Sequence, residues 1–364
     1  MARKTITVTA VLLLAALFAT PSSAQDVKIG GYGQTWFLFQ QNAGIAGRTG
    51  VEDAVSGFRI RRARLNFKTD LNDMFSVDTW FDFVDPSKTL LDFKAIAKIS
   101  PSFVITLGQF INPAQMYETS SLSSSKLPFY ERSDISQKLT SFMGNDSFRD
   151  IGLMLSGTFG VVKYGVYYGN GTGRGFQTGN NILNRKFGQG LFGGRVDIEP
   201  VKGLVFGGHV GINKQDSVVT RENTLPGYST PSTVLRNKDR SSYSFNIGTD
   251  GLGIPEVFSE FSYGNGNFKD TTSATEYNGW YLLGGYKICK EFHVLARYDT
   301  YTQTLKSTQP VEAKSNNITF GVTYLFFNEK TDIVKIGANY VSRKEEPTEV
   351  RNNVFVIWTQ VRIP

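Results

Sequence analysis

From about residue 27 onward the chain is written in short runs that alternate polar and apolar positions, separated by clusters of Gly, Asn, Asp, Ser and Pro. A period of two is the signature of strands whose two faces meet different surroundings. In residues 91–99, Leu91, Phe93, Ala95, Ala97 and Ile99 fall on one face, and Asp92, Lys94 and Lys98 on the other. In residues 318–326, Ile318, Phe320, Val322, Tyr324 and Phe326 oppose Thr319, Gly321, Thr323 and Leu325. Val334, Ile336, Ala338 and Tyr340 alternate with Lys335, Gly337 and Asn339 in the same way. Sixteen such runs are expected: 27–39, 57–68, 75–84, 89–99, 103–110, 148–158, 161–170, 189–199, 203–214, 241–250, 256–265, 278–288, 291–302, 316–327, 331–342 and 353–363.

The connections between these runs alternate in length. Residues 71–73, 100–102, 159–160 and 199–202 are tight, whereas 40–56, 111–147, 171–188 and 215–240 are long. Short turns at one end and long loops at the other are the rhythm of a transmembrane antiparallel β-barrel, and an even strand count returns both termini to the short-turn side. A soluble β-sandwich has no reason to alternate in this way. The fold expected is therefore all-β: one closed barrel of 16 strands.

The connection 111–147 stands out because it combines Pro113, Pro128 and a serine run with the apolar residues Met116, Leu122, Leu127, Phe129 and Tyr130. Folding into the lumen as a long third loop would bury those side chains and present Ser123, Ser124, Ser125 and Lys126 to solute. The alternative is a flap over the mouth of the barrel.

Composition adds the compartment. Arg3 and Lys4, an apolar run from Val11 to Ala19 and then Pro21-Ser22-Ser23-Ala24 form the pattern of a secretory signal peptide cleaved after Ala24. Residues 1–24 are therefore expected to be a leader, and 25–364 one barrel domain. Nowhere do about 18 uninterrupted apolar residues mark a spanning helix. Removing the leader lowers the formal charge from 39 − 32 = +7 to 37 − 32 = +5, a mild excess that favours anions. Cys289 is the single cysteine, so no internal disulfide holds the chain.

The most unusual strand is the second. Phe58-Arg59-Ile60-Arg61-Arg62-Ala63-Arg64-Leu65-Asn66-Phe67 carries four arginines, and Ala63, Leu65 and Phe67 alternate with Arg62, Arg64 and Asn66. If the apolar face meets lipid, Arg62 and Arg64 line the lumen, and anion passage becomes the leading hypothesis. Arg61 and Arg62 are neighbours, so both can face the lumen only through a local bulge. Otherwise Arg59 and Arg61 would snorkel at the outer interface.

The rest of the chemistry is sparse. Gly169-Asn170-Gly171-Thr172-Gly173-Arg174-Gly175 lacks the lysine and hydroxyl residue of a phosphate-cradling loop, and is expected to be a flexible extracellular loop. His209 and His293 lie on separate strands without partners at metal spacing, and are expected to be structural or lumen-lining. No serine nucleophile elbow, HExxH or Cys/His pair suggests an enzyme.

Four blocks together resemble the phosphate-selective porin O and P family: residues 58–67 with the tight turn that follows; Gly108-Gln109-Phe110 with Pro113 and Glu118; Phe129-Tyr130-Glu131-Arg132-Ser133; and residues 149–157. The resemblance implies a trimeric, sixteen-stranded channel in the outer membrane of a diderm bacterium. Its third loop would fold inward, and arginines and lysines would draw phosphate or polyphosphate to a narrow zone. Carried over by motif, Arg61 and Arg62 would be the paired arginines of the constriction, Ser125 and Lys126 its loop contributors, and Asp92 the carboxylate that orients the arginines. Arg64 and Lys94 would complete the anion-binding set. The implied partners are inorganic anions, outer-membrane lipid and two further copies of the chain, with no cofactor, metal or nucleic acid. Two other readings stay open. One is a weakly selective diffusion porin whose arginines set up a transverse field opposite Asp92, Glu118 and Glu131. The other is a barrel-embedded hydrolase or a surface adhesin.

Overall fold

The structure is a computed structural model that describes residues 26–41, 54–86, 89–121, 129–144, 148–174, 189–215, 238–250, 252, 256–270, 274–306, 310–328, 331–347 and 352–363. The leader, Ser125 and Lys126 lie outside the described residues.

Sixteen strands run in chain order: β1 (Val27–Gln40), β2 (Val55–Asp70), β3 (Phe75–Asp82), β4 (Leu90–Ser100), β5 (Phe103–Ile111), β6 (Arg149–Phe159), β7 (Val162–Gly169), β8 (Gly190–Val201), β9 (Leu204–Gln215), β10 (Lys238–Asp250), β11 (Val257–Asp270), β12 (Ala274–Lys287), β13 (Phe292–Lys306), β14 (Val311–Asn328), β15 (Thr331–Glu346) and β16 (Val354–Ile363). Each pairs antiparallel with its sequence neighbours, and β1 pairs with β16 from Gly31↔Ile363 to Gln40↔Val354. That pairing closes the barrel and leaves no sheet edge.

The alternation of faces is physical. Ile318, Phe320, Val322, Tyr324 and Phe326 are exposed on the outside, while Thr319, Thr323 and Leu325 are buried inside. Aromatic rings also pair across strands on the outer face, as Phe245 does with Phe261 at 6.0 Å and Phe261 with Trp280 at 5.9 Å. An apolar exterior with a polar interior inverts the soluble pattern, as lipid contact requires.

Two of the register shifts, in β2 and β4, bear on the site. Gln34 stands opposite Arg62 and Thr35 opposite Ile60, so Arg61 is an extra residue in β2. Trp80 stands opposite Asp92 and Phe81 opposite Leu90, so Leu91 is an extra residue in β4. Leu91 was expected on the lipid face; the bulge turns it inward, where it is buried, and leaves Leu90 exposed.

The third loop folds into the barrel, as its apolar content required. It carries α1 (Tyr117–Ser120) and α2 (Asp134–Phe142). Three apolar clusters fasten it to different parts of the wall. Met116, Phe129, Ile135 and Leu139 pack on Tyr281, Leu283 and Leu295 of β12 and β13. Tyr130 packs with Trp36, Val341, Val354, Val356 and Trp358 of β1, β15 and β16. Ala114 and Met143 join Phe110, Tyr167 and Leu191 of β5, β7 and β8. The barrel therefore has a small core of its own inside the lumen, built around one connection.

Candidate functional site

The bulge at Arg61 decides the second strand. Phe58 and Ile60 point outward, 81% and 60% exposed, so Arg59 points inward. Past the bulge, Ala63, Leu65 and Phe67 face out and Arg62 and Arg64 face in. Arg61, the bulged residue, also reaches into the lumen, where it meets the third loop. All four guanidiniums thus form one inward ladder, which regular alternation would have forbidden.

Each step of the ladder has different company. Arg59 lies over the Trp36 ring, 5.3 Å from its centroid, and has no carboxylate partner among the described residues. Arg61 lies 5.2 Å from the same ring and donates to Glu131 Oε2 from Nη2 at 2.7 Å and from Nε at 3.2 Å. Arg62 is 2% exposed; it donates to Gln34 Oε1 at 2.5 Å and to Glu131 Oε1 at 3.3 Å. Arg64 donates to Asp82 Oδ2 at 2.8 Å and to the Tyr32 hydroxyl at 2.7 Å. Glu131 therefore sits in a fork of two guanidiniums. Burial alone would push its carboxyl up, but Arg62 and Arg61 outweigh that and hold it down from 4.5 to about 2.

The carboxylate that joins Arg61 and Arg62 is therefore Glu131, not Asp92. Asp92 is taken by Arg149, whose Nε donates to Oδ1 at 2.6 Å. Asp92 is buried on the inner face beside the bulged Leu91, and Arg149 reaches it from β6 across β5. Lys94 lies further down the wall, 2.5 Å from Asp78, which also accepts from Asn66.

Across the lumen the loop is clasped again. Glu118 of α1 accepts from Arg297 Nη1 at 3.3 Å, and its other oxygen accepts from the Ser133 amide at 2.9 Å and hydroxyl at 2.6 Å. Arg297 also lies 4.8 Å from the Phe129 centroid and 3.3 Å from Asp299. Neither Arg297 nor Asp299 stood out in the sequence as a loop anchor, because an Arg and an Asp two apart on one face of β13 read as an ordinary lumenal pair.

Below the loop, on the short-turn side, is a cavity of about 540 Å³ roofed by Tyr117 and bordered by Lys163, Glu199, Glu260, Lys287 and Lys335. Burial pushes the Tyr117 phenol up to about 12, with help from Glu260, so it stays a neutral donor here. His209 is buried between Ser244 and Ser242, a structural role of the kind expected.

No protein-family model and no curated protein matches the sequence. Solved structures do. OmpT of Vibrio cholerae in its trimer form superposes with a TM-score of 0.65 at 14% identity, over 93% of this chain and 100% of that one. The anion-selective porin of Comamonas acidovorans gives 0.61 at 13% identity, over 93% and 99%. The outer membrane channel DcaP of Acinetobacter baumannii gives 0.61 at 11% identity, over 94% and 99%. The chain has the fold of the outer-membrane porins. At these identities the likeness carries the fold, and the phosphate-selective families stay a resemblance of sequence.

Proposed function

We propose that the protein is an outer-membrane channel for passive diffusion that prefers small inorganic anions. One observation carries this reading: the bulge at Arg61 brings four arginines of β2 into the lumen against two contacting carboxylates, Glu131 and Asp82. Arg59 contacts neither, and Arg61 and Arg62 share one, so the ladder keeps a positive excess beside the inward loop. Fixed charge in a narrow pore concentrates counter-ions and repels ions of its own sign. The Comamonas structure is described as an anion-selective porin and one Vibrio structure as a trimer, and both descriptions support the same reading of this barrel. Phosphate is the solute to which the sequence resemblance points. Outer-membrane lipid would meet the apolar exterior, and three copies would make the working unit.

Weakly selective diffusion is the second reading, favoured because Arg61, Arg62 and Arg64 spend much of their charge on carboxylates. Reversal potentials in planar bilayers under a potassium chloride gradient separate the two. Anion preference that strengthens at low salt supports the first reading. A potential near zero supports the second, and cation preference rejects the proposal. Phosphate in place of chloride then tests the solute directly.

A further inference from the structure

The glycine-rich stretch after β7 was expected to be a flexible extracellular loop, yet residues 170–174 are bound inside the barrel. Asp150, fully buried on β6, is the reason. Its Oδ2 accepts from the Gly171 amide at 2.5 Å and the Tyr167 hydroxyl at 3.0 Å. Its Oδ1 accepts from the amides of Gly173 at 3.1 Å and Thr172 at 3.3 Å. Successive backbone N–H groups that converge in this way form an anion-binding concavity, here filled by a carboxylate of the chain itself.

The stretch so held touches the end of the third loop. Asn213 of β9 donates from Nδ2 to Met143 O and to Gly171 O, both at 2.8 Å, so one buried amide ties the end of α2 to the glycine-rich stretch. The two segments also meet through glycines. Gly144, at φ +86°, ends α2, and a Cβ there would stand 2.3 Å from Gly171 O. Gly171, at φ +64°, has no room for a Cβ beside Asn213.

We infer that Asp150 and Asn213 are positioning residues: through residues 170–174 they fix the C-terminal end of α2, and thereby the width that the third loop leaves open. The consequence for width rests on the channel reading; the placement of α2 does not. Neither residue touches the ladder of β2 or the Glu118 clasp, so they act at the end of the loop opposite to both.

The test uses the full barrel refolded into lipid vesicles, with Asp150→Ala, Asp150→Asn, Asn213→Ala and Asn213→Asp. Amide hydrogen exchange across α2 should quicken by on the order of tenfold in Asp150→Ala and both Asn213 variants, because the end of the helix loses its anchor. Single-channel conductance should rise roughly twofold as the constriction widens, and larger sugars should pass in vesicle swelling. Asp150→Asn keeps one acceptor oxygen but turns an NH2 donor against the amides that the other oxygen served, so it should fall between Asp150→Ala and the wild type. A structural role alone would lower barrel stability without changing the sugar cut-off. Unchanged α2 exchange in Asn213→Ala and Asn213→Asp overturns the inference even if Asp150→Ala fails to fold. Faster exchange with unaltered conductance and cut-off overturns its link to pore width. A wild-type barrel that conducts nothing would reject the channel reading while leaving the exchange result to judge the anchor.

Discussion

Glu131 and Glu118 both leave the inward loop to meet arginines of the barrel wall, but the ratio of charges is reversed between them. At β2 two guanidiniums, Arg61 and Arg62, share the single Glu131 carboxylate, and Arg61 keeps 29% of its side chain open to the lumen. At β13 the single Arg297 serves two carboxylates, Glu118 and Asp299, and all three side chains are at least 94% covered. The same ion-pair chemistry therefore has two uses. Where it is half open and cation-rich it leaves field for a passing solute. Where it is closed and acid-rich, with Ser133 completing the second oxygen of Glu118 and Phe129 covering the guanidinium, it holds the loop in place.

The largest effect should come from breaking the closed side. Arg297→Ala would remove the one guanidinium that contacts both buried carboxylates, Glu118 and Asp299, and the plate that packs on Phe129. Breaking a buried pair from one side costs about 3–5 kcal/mol, so urea unfolding of the folded barrel should shift by that order, with the loop loosened and conductance raised. A shift under about 1 kcal/mol, the range of exposed pairs, would mean that this clasp is not what fixes the loop.

Glu131→Gln sharpens the contrast from the open side. It removes the negative charge but keeps an acceptor oxygen for the guanidiniums, with Arg61 partly open to water and Arg62 still held by Gln34, so the stability cost should be smaller, about 1–3 kcal/mol. Selectivity should move the other way from stability: with two guanidiniums released, the reversal potential should shift further toward anions. If Glu131→Gln destabilises as much as Arg297→Ala, or leaves the reversal potential where it was, the division between the two clasps is wrong.

Acid separates the clasp from ordinary carboxylates. The folded Glu131 carboxyl is depressed from 4.5 to about 2, so its contribution is complete above the unfolded value near 4.5 and is lost only as pH falls through about 2. Between pH 7 and pH 4 the wild type should therefore keep its difference from Glu131→Gln in reversal potential. Convergence of the two proteins near pH 4 would show that the arginine fork does not hold the carboxylate as described.

How much of this was readable in the sequence follows from the range of each signal. The barrel was legible because alternation and loop rhythm are local and repeated sixteen times, and the inward loop because Met116, Phe129 and Tyr130 needed cover. The adjacency of Arg61 and Arg62 raised a bulge as one of two readings, since two neighbours cannot share a face without one, and only the strand register decided between them. Partners were another matter. The resemblance gave Asp92 to those arginines, but Arg149, 57 residues along the chain, takes it, and no local pattern reveals that pairing. Arg62 was expected to line the lumen, yet the returning loop covers it to 2% exposure. Its replacement by Glu would therefore bury a second carboxylate beside Glu131 and weaken the fold, not merely change selectivity. Asp150 and Asn213 act across 20 to 70 residues of sequence, a distance at which single side chains leave no periodic trace.

The gentlest change tests the open side most directly. Arg59 is exposed, lies over Trp36 and touches no carboxylate among the described residues, so Arg59→Gln should stay within about 0.5 kcal/mol of the wild type in unfolding, as surface substitutions do. Its charge is nevertheless part of the ladder. The reversal potential should move toward cations at 0.01 M salt, where the screening length is about 30 Å, and the change should vanish near 1 M, where it is about 3 Å. Arg59→Lys keeps the charge and loses only the flat stacking on the indole, so it should leave the reversal potential unchanged. A salt-independent effect in Arg59→Gln, or an equal effect in Arg59→Lys, would mean that Arg59 acts by shaping the Trp36 wall and not by its charge, and the cation-rich side would then reduce to the fork around Glu131.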